Sequence, residues 1–418
     1  MVSKIDCVAL LAQFEQYLTG TGYARPVAAH YLDCAESFLA YLSERQMSSL
    51  NAAEPSDVSS FLREELRTYR RRHRRSPLST ARWRQWRIAG VRRFLVVILG
   101  QWPPTAPAAS PFEERCRAVC EEYSLELRER RNLASSTVYG HVAGAEQFLD
   151  WVGKDKKVPD LGTLTVFDID RYIKARVGSI QRTTRKAVSF QLRSFLRFLH
   201  RTGRIGADLA ACVIAPTLYR YEGIPSVLEP EQVREILISA SKDRSPNGLR
   251  NYAMLMLLAT YGLRSGEIRR LQLEDVDWRG ERLWIRHTKT GVRSCLPLMP
   301  KVGHALLNYL RVGRPKCAAR EIFIRCRAPR CGFFTSSTLN SMLRRHLAKI
   351  GIRPAGKRGP HVFRHSRAVS LLRAGVPVKE IGDVLGHRSA ASTNVYLKLD
   401  DHELRSVALA IPTTEARS

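Results

Sequence analysis

The sequence of 418 residues predicts a mainly α protein with one small antiparallel β-sheet, arranged as two small helical domains followed by a larger one. Three observations carry this expectation. Apolar residues recur at helical spacing through most of the chain, strand-like alternation is confined to residues 275–298, and proline-rich breaks fall near residues 101–111 and 215–226. Domains usually run about 100–200 residues, so a chain of this length exceeds one ordinary core. Hydrophobic residues make up 44%, enough to fill such cores. The 68 Lys and Arg against 39 Asp and Glu therefore sit on folded surfaces, and the net charge of +29 asks for a polyanionic partner.

Residues 1–100 are expected to form the first helical domain. Between Phe61 and Gly100 there are twelve Arg and two Glu, centred on residues 70–75 (RRRHRR), with Trp83 and Trp86 close by. A run of one sign beside an amphipathic helix suits phosphate contacts better than ion pairs along a helix face. Arg70, Arg71, Arg72, Arg74, Arg75 and Arg82 are thus candidate DNA contacts, with a flexible, non-specific basic loop as the alternative. Residues 101–111 (QWPPTAPAASP) hold four prolines and read as a stiff, extended linker.

Residues 112–215 form the second expected helical domain. Residues 35–41 (AESFLAY) parallel 145–151 (AEQFLDW), and 57–62 (DVSSFL) parallel 168–173 (DIDRYI). Each pair precedes a basic helix with an apolar stripe, residues 82–99 and 184–200, the second carrying Arg185 and Lys186 as further candidate contacts. Three matching elements in one order predict a duplication, the alternative being a chance likeness of short amphipathic helices.

The opening MVSKID lacks a basic segment leading into an apolar one, and no apolar stretch is long enough to span a bilayer, so no membrane partner is expected. Nine scattered cysteines read as free thiols in a reducing compartment. Cys317, Cys326 and Cys331 lack the short pairing of a zinc site.

After Leu228 the acidic start LEPEQ opens a helix, and residues 252–259 (YAMLMLLA) form a buried one broken at Thr260-Tyr261-Gly262. Arg264, at the restart LRSGEI, has a planar fork able to grip two oxygens of one phosphate. Residues 282–288 alternate as a strand, 289–293 turn, and 294–298 return, which puts Lys289 at a hairpin tip, where lysine is commonly a solvated edge guard. The strongest signal is His361-Val-Phe-Arg364-His365, then Leu385-Gly-His387 and, nine residues on, Tyr396. Spacing i,i+3 puts His361 and Arg364 on one helix face, so a proton-transfer group and a phosphate clamp point the same way.

Arg264, Lys289, His361-x-x-Arg364, His387 and Tyr396 resemble, in type, order and approximate spacing, the catalytic set of the tyrosine recombinases, the phage-type integrase family with Xer-like and mobile-element members. The flanks TYGLRSGE, HVFRHSRA and LGHRSAASTNVYLKL look like that family's boxes. The resemblance covers residues 225–412 strongly and 112–215 more weakly. It implies a tyrosine recombinase catalytic fold at 225–412 with a short tail, 413–418, preceded by helical SAM-like core-binding domains.

It further implies that Tyr396 attacks phosphorus to give a covalent 3′-phosphotyrosine and a free 5′-hydroxyl. A phenol with a pKa near 10 is a poor nucleophile and needs a base and a neutralised phosphate. Arg264 and Arg364 would supply the charge, His387 a hydrogen bond to the phosphate, His361 the base and Lys289 the acid for the leaving oxygen. Because the phosphotyrosyl ester keeps the bond energy of the cut strand, no metal, nucleotide or other cofactor is expected. Glu267 resembles an acidic buttress of the clamp, and His287 and His365 read as packing or hydrogen-bonding residues.

The implied partner is double-stranded DNA, held by a homo-tetramer, or by a hetero-oligomer with related recombinases, on two sites. The implied setting is cytoplasmic and nucleoid-associated, in the integration, excision or transposition of a mobile element. The rivals are a type IB topoisomerase-like enzyme and a catalytically silent DNA-binding regulator of the same fold. Two helical N-terminal domains argue against the first and six filled positions against the second. An apolar pattern at Leu404, Val407, Leu409 and Ile411 is expected to dock on a neighbouring protomer or to cap its own domain.

Overall fold

The computed structural model describes residues 6–47, 49–155, 160–178, 180–217, 226–287, 291–354, 356, 359–387, 393–394 and 396. It is mostly helical with a single three-stranded antiparallel sheet among the described residues, the fold class read from the sequence. No described helix is long and apolar enough to cross a membrane. The pattern at residues 404–411 lies outside the described residues.

Helices α1 (Cys7–Gly20), α2 (Arg25–Glu44), α3 (Pro55–His73) and α4 (Thr80–Leu99) enclose one core. A second is enclosed by α5 (Pro111–Leu125), α6 (Ser135–Asp155), α7 (Val166–Val177) and α8 (Arg182–Arg201). Local chemistry fixes where these helices start. Proline stands in the first turn of α2, α3 and α5, where its missing N–H costs nothing. Asp6, Ser79 and Ser110 cap α1, α4 and α5 by accepting backbone N–H bonds. Asp57 and Asp168, each the third residue of its helix, reach back to the N–H of Glu54 and Thr165 at 2.8 and 2.9 Å.

The two sets share a skeleton. Phe14 and Leu18, Phe38 and Leu39, Val58 and Phe61, and Phe94 and Leu95 are buried in the first. Tyr123 and Leu127, Phe148 and Leu149, Ile169 and Tyr172, and Phe195 and Leu196 take the corresponding places in the second. The aromatic packing repeats with them. Phe38 meets Phe61 edge-on at 5.2 Å and Tyr41 stacked at 6.3 Å. Phe148 meets Tyr172 edge-on at 5.0 Å and Trp151 stacked at 6.5 Å. By contacts the chain separates into two units, Thr105–Glu222 and the remainder. Within the latter, the Thr21 carbonyl accepts from the Arg330 backbone N–H at 2.9 Å.

The core after Leu228 is built on α10 (Pro246–Tyr261), which follows α9 (Pro230–Ser241) and is buried at every residue from 253 to 258. A helix apolar on all sides belongs at a domain's centre. Helix α11 (Ser265–Arg270) leads into strands β1 (Val276–Asp277), β2 (Arg282–Arg286) and β3 (Arg293–Pro297). Register pairs Leu283 with Leu296 and Arg286 with Arg293, so alternate residues Leu283 and Ile285 face the core. Strand β2 ends at Arg286, short of the alternation read over 282–288, and β3 keeps the five residues expected but starts one residue earlier, at Arg293. Helices α12 (Pro300–Asn308) and α13 (Ser337–Lys349) complete the core, and α14 (His361–Arg373) and α15 (Val378–Leu385) pack with Tyr396 into a smaller cluster.

Candidate active site

Helix α10 ends on Gly262, whose φ of 64° is left-handed. A Cβ there would lie 2.9 Å from Leu385 Cδ2 and 3.4 Å from Arg364 Cα, so only glycine lets the turn close on α14. Arg364, 3% exposed, donates from one terminal nitrogen to the Gly262 carbonyl at 3.0 Å and from the other to the Leu385 carbonyl. Burial and neighbouring Arg264 lower its pKa to about 10, which still leaves it charged at neutral pH.

Arg264 caps α11 in an extended conformation. Glu267, three residues on, accepts from the Arg264 backbone N–H and guanidinium, both at 2.8 Å. His287 Nδ1 lies 2.9 Å from the same carboxylate and its Nε2 lies 2.7 Å from Ser294 Oγ, which ties the end of β2 to the clamp. Burial pushes the Glu267 carboxyl up, but the bonds from His287 and Arg264 outweigh it and hold the group below its ordinary value. Gly386, at a φ of 63°, passes directly over the His287 ring, where a Cβ would meet ring atoms at 2.3–2.6 Å.

Tyr396, 3% exposed, completes the group. Its hydroxyl is 3.2 Å from His365 Nδ1 and lies within the field of the Arg364 guanidinium. Burial raises its phenol above the ordinary value of 10, with Arg364 and Arg264 pulling the other way without prevailing. His387 Nδ1 lies 2.8 Å from Thr393 Oγ1, and its ring stacks on that of Tyr396 at 6.4 Å between centroids. Burial and the two arginines lower its pKa to about 4, so the imidazole is neutral at physiological pH. Two guanidiniums, one carboxylate and a neutral imidazole leave a net positive charge beside a buried phenol. That arrangement suits a phosphate ester near the hydroxyl.

Of the six residues expected at the site, Arg264, Arg364, His387 and Tyr396 are brought together. His361 is exposed at the first position of α14, one turn before His365, with 6.2 Å between their ring centroids. Lys289 lies outside the described residues. The histidine at the Tyr396 hydroxyl is His365, which the sequence suggested for packing or hydrogen bonding. Its i,i+4 spacing from His361 was the available signal.

Among the candidate DNA contacts, Arg70, Arg71, Arg72, Arg74 and Arg75 are exposed at the end of α3 and just beyond it, and Arg82 is exposed on α4. Lys186 is exposed on α8, whereas Arg185 is half-buried and donates from Nε to the Ile180 carbonyl at 2.9 Å.

Comparison with known proteins bears on this geometry. A family model, the phage integrase family, matches residues 226–403. The integrase/recombinase y4gC of Sinorhizobium fredii is 56% identical over 192 residues, which cover 46% of this chain and 98% of that protein. The tyrosine recombinase XerD of Mycobacterium tuberculosis is 30% identical over 301 residues, covering 68% of this chain and 94% of that one. Among solved structures, the XerH site-specific recombinase bound to its difH substrate has a TM-score of 0.53 at 16% identity, over 73% of this chain and 90% of that one. A lambda integrase tetramer bound to a Holliday junction has a TM-score of 0.53 at 16% identity, over 74% and 85%. These two share the fold.

Proposed function

Because the chain belongs to the phage integrase family and is a tyrosine-type site-specific recombinase, we propose that it cuts and rejoins DNA through a 3′-phosphotyrosine on Tyr396, in the movement of a mobile element. The observation that supports this most is the Tyr396 hydroxyl, set between His365 and Arg364 with Arg264 in the same field. Tyr396 Oη attacks phosphorus in line and passes its proton to the imidazole at its side, His365 or, one turn away, His361. Arg264 and Arg364 hold the non-bridging oxygens as negative charge develops on them. Neutral His387 donates to the same phosphate. Where the Thr393 hydroxyl donates to Nδ1, the ring proton is left on Nε2, which makes that bond. Lys289 protonates the leaving 5′-oxygen. Rejoining reverses these steps, with a 5′-hydroxyl attacking the phosphotyrosine and Tyr396 leaving.

In this reading residues 225–412 are the catalytic domain, and residues 1–100 and 112–215 are two copies of one helical DNA-binding design joined by the 101–111 linker. The shared skeleton and aromatic packing of the two sets support the duplication. Arg70, Arg71, Arg72, Arg74, Arg75 and Arg82 in the first copy, with Arg185 and Lys186 in the second, contact duplex phosphates. The assembly is a homo-tetramer, or a hetero-oligomer with related recombinases, on two DNA sites, by analogy with the lambda integrase tetramer on its junction. The mobile-element role follows the integrase name of the Sinorhizobium relative.

Tyr396→Phe removes only the attacking oxygen. It is expected to keep DNA affinity and lose all covalent adduct on a suicide substrate in a denaturing gel. An adduct of normal yield from this variant would move the nucleophile elsewhere.

A further inference from the structure

The face between α2, α3 and α4 is where the first helical set departs from the second. It carries a cleft of about 720 Å³ lined by His30, Tyr69, Arg72, Arg82, Trp83 and Trp86. The matching cleft between α6, α7 and α8 is about 210 Å³. Following the matched core residues along the helices, His30 corresponds to Gly140, Trp83 to Thr184 and Trp86 to Ala187. The skeleton thus folds without the aromatic groups, and packing does not explain them. Trp86 is 52% exposed and lies 5.0 Å from the His30 ring, while Tyr69 sits 6.0 Å from Trp83.

The charges are sorted. Arg87, in the place of Val188, is largely buried and pairs with both Asp33 and Glu65, so one of the two carboxylate charges at the floor of the cleft is offset from within and one remains for the arginines at its rim. His30, Asp33 and Cys34 bring ligand atoms within 4.8 Å of one another. The Arg87 cation already stands on Asp33, however, and burial pushes the Cys34 thiol up to about 12, which suits a neutral ring better than a metal ion. Arg72 and Arg82 are exposed and complete the lining with positive charge.

We propose that this cleft binds one unpaired nucleotide of DNA, its base stacked on Trp83 and Trp86 and its flanking phosphates on Arg72 and Arg82. Aromatic faces with arginines beside them are how single strands are held without sequence preference. The volume falls within the roughly 300–1,000 Å³ of small-ligand sites, and the matching cleft falls below it. Contacts to duplex phosphates alone would need the arginines and not the rings. A base still paired in a duplex cannot enter. The inference rests on the recombinase reading above: a cut strand that is rejoined to a different 5′-hydroxyl must first separate from its complement, and that separation supplies unpaired nucleotides.

The test uses the full-length protein with fluorescein-labelled oligo(dT) and a duplex of equal length. Trp86→Ala is the variant of choice because the residue is half-exposed and its counterpart is already alanine. It is expected to weaken oligo(dT) binding about tenfold while leaving duplex binding unchanged. Arg82→Gln is expected to flatten the salt dependence of oligo(dT) binding by about 0.7 in slope. Trp86→Ala binding oligo(dT) like the unaltered protein, or losing oligo(dT) and duplex alike, overturns the proposal. A suicide substrate reports on Tyr396 separately. A normal adduct yield beside unchanged oligo(dT) binding overturns the cleft alone, and the recombinase reading stands.

Discussion

Phe38 and Phe148 hold equivalent places in the two helical sets, and so do Trp86 and Ala187, but only the first pair is alike. In those sets the residues that make the fold and the residues that differ are different residues. Around Tyr396 no such division exists. Arg364 carries charge towards the phenol and also satisfies the Gly262 and Leu385 carbonyls that end α10 and α15. Glu267 orients Arg264 and also caps α11. A scaffold whose functional face is separable can be duplicated and refitted, whereas a site assembled from structural bonds changes only at a cost to the fold.

Arg364→Ala should show the largest effect of this coupling. It leaves the buried Gly262 and Leu385 carbonyls without their donor, at about 1–3 kcal/mol each, so a loss of about 2–6 kcal/mol in unfolding free energy is expected together with loss of adduct. Urea unfolding and the suicide-substrate gel measure the two. An Arg364→Ala protein as stable as the parent would show that function and fold are separable here too.

A smaller loss, confined to chemistry, is expected from His365→Ala. Because burial holds the Tyr396 phenol above its ordinary value, almost none is ionised at neutral pH and the attack depends on a base. Loss of that base should slow single-turnover cleavage by about 10²–10⁴-fold. The residual rate should rise with pH as hydroxide takes over, since deprotonation of a raised phenol is favoured only at high pH. His361→Ala is expected to slow cleavage less. The reverse order of the two variants would return the base to His361.

How much of this was legible in the sequence follows from the range of each interaction. Helix starts were readable because caps are local, as at Leu228-Glu229-Pro230 before α9. The order of Arg264, Arg364, His387 and Tyr396 was readable because chemistry restricts residue type. Which histidine meets Tyr396 was not, since i,i+4 spacing puts His361 and His365 on one face and only the return of the chain to α14 chooses between them. The cleft escaped for a similar reason. Trp83 and Trp86 were visible beside the arginines, but the bond of Arg87 to Asp33 and Glu65 joins residues 54 and 22 apart.

The smallest expected effect tests the helical pair itself. Where α4 crosses α2 the close approach is made by Gly90 against Cys34, and a Cβ on Gly90 would lie 2.7 Å from Cys34 Cβ. In the second set the glycine is on the other helix. Gly144 of α6 faces Gln191 of α8, and a Cβ there would meet Gln191 Oε1 at 3.1 Å and Cβ at 3.4 Å. Gly90→Ala should therefore destabilise the first set by about 1–3 kcal/mol, because a β-carbon fixed to the α2 backbone cannot swing aside. Gly144→Ala meets mainly the movable end of a glutamine. The helix gains about 0.5–1 kcal/mol from alanine over glycine, so a net change near zero is expected. Cys34→Gly in the Gly90→Ala background should recover part of the loss, since it moves the glycine to the helix that carries it in the second set. Hydrogen exchange resolved by helix reads each set separately. Equal losses from both single variants, or no recovery in the double variant, would show that the two crossings are not the same joint.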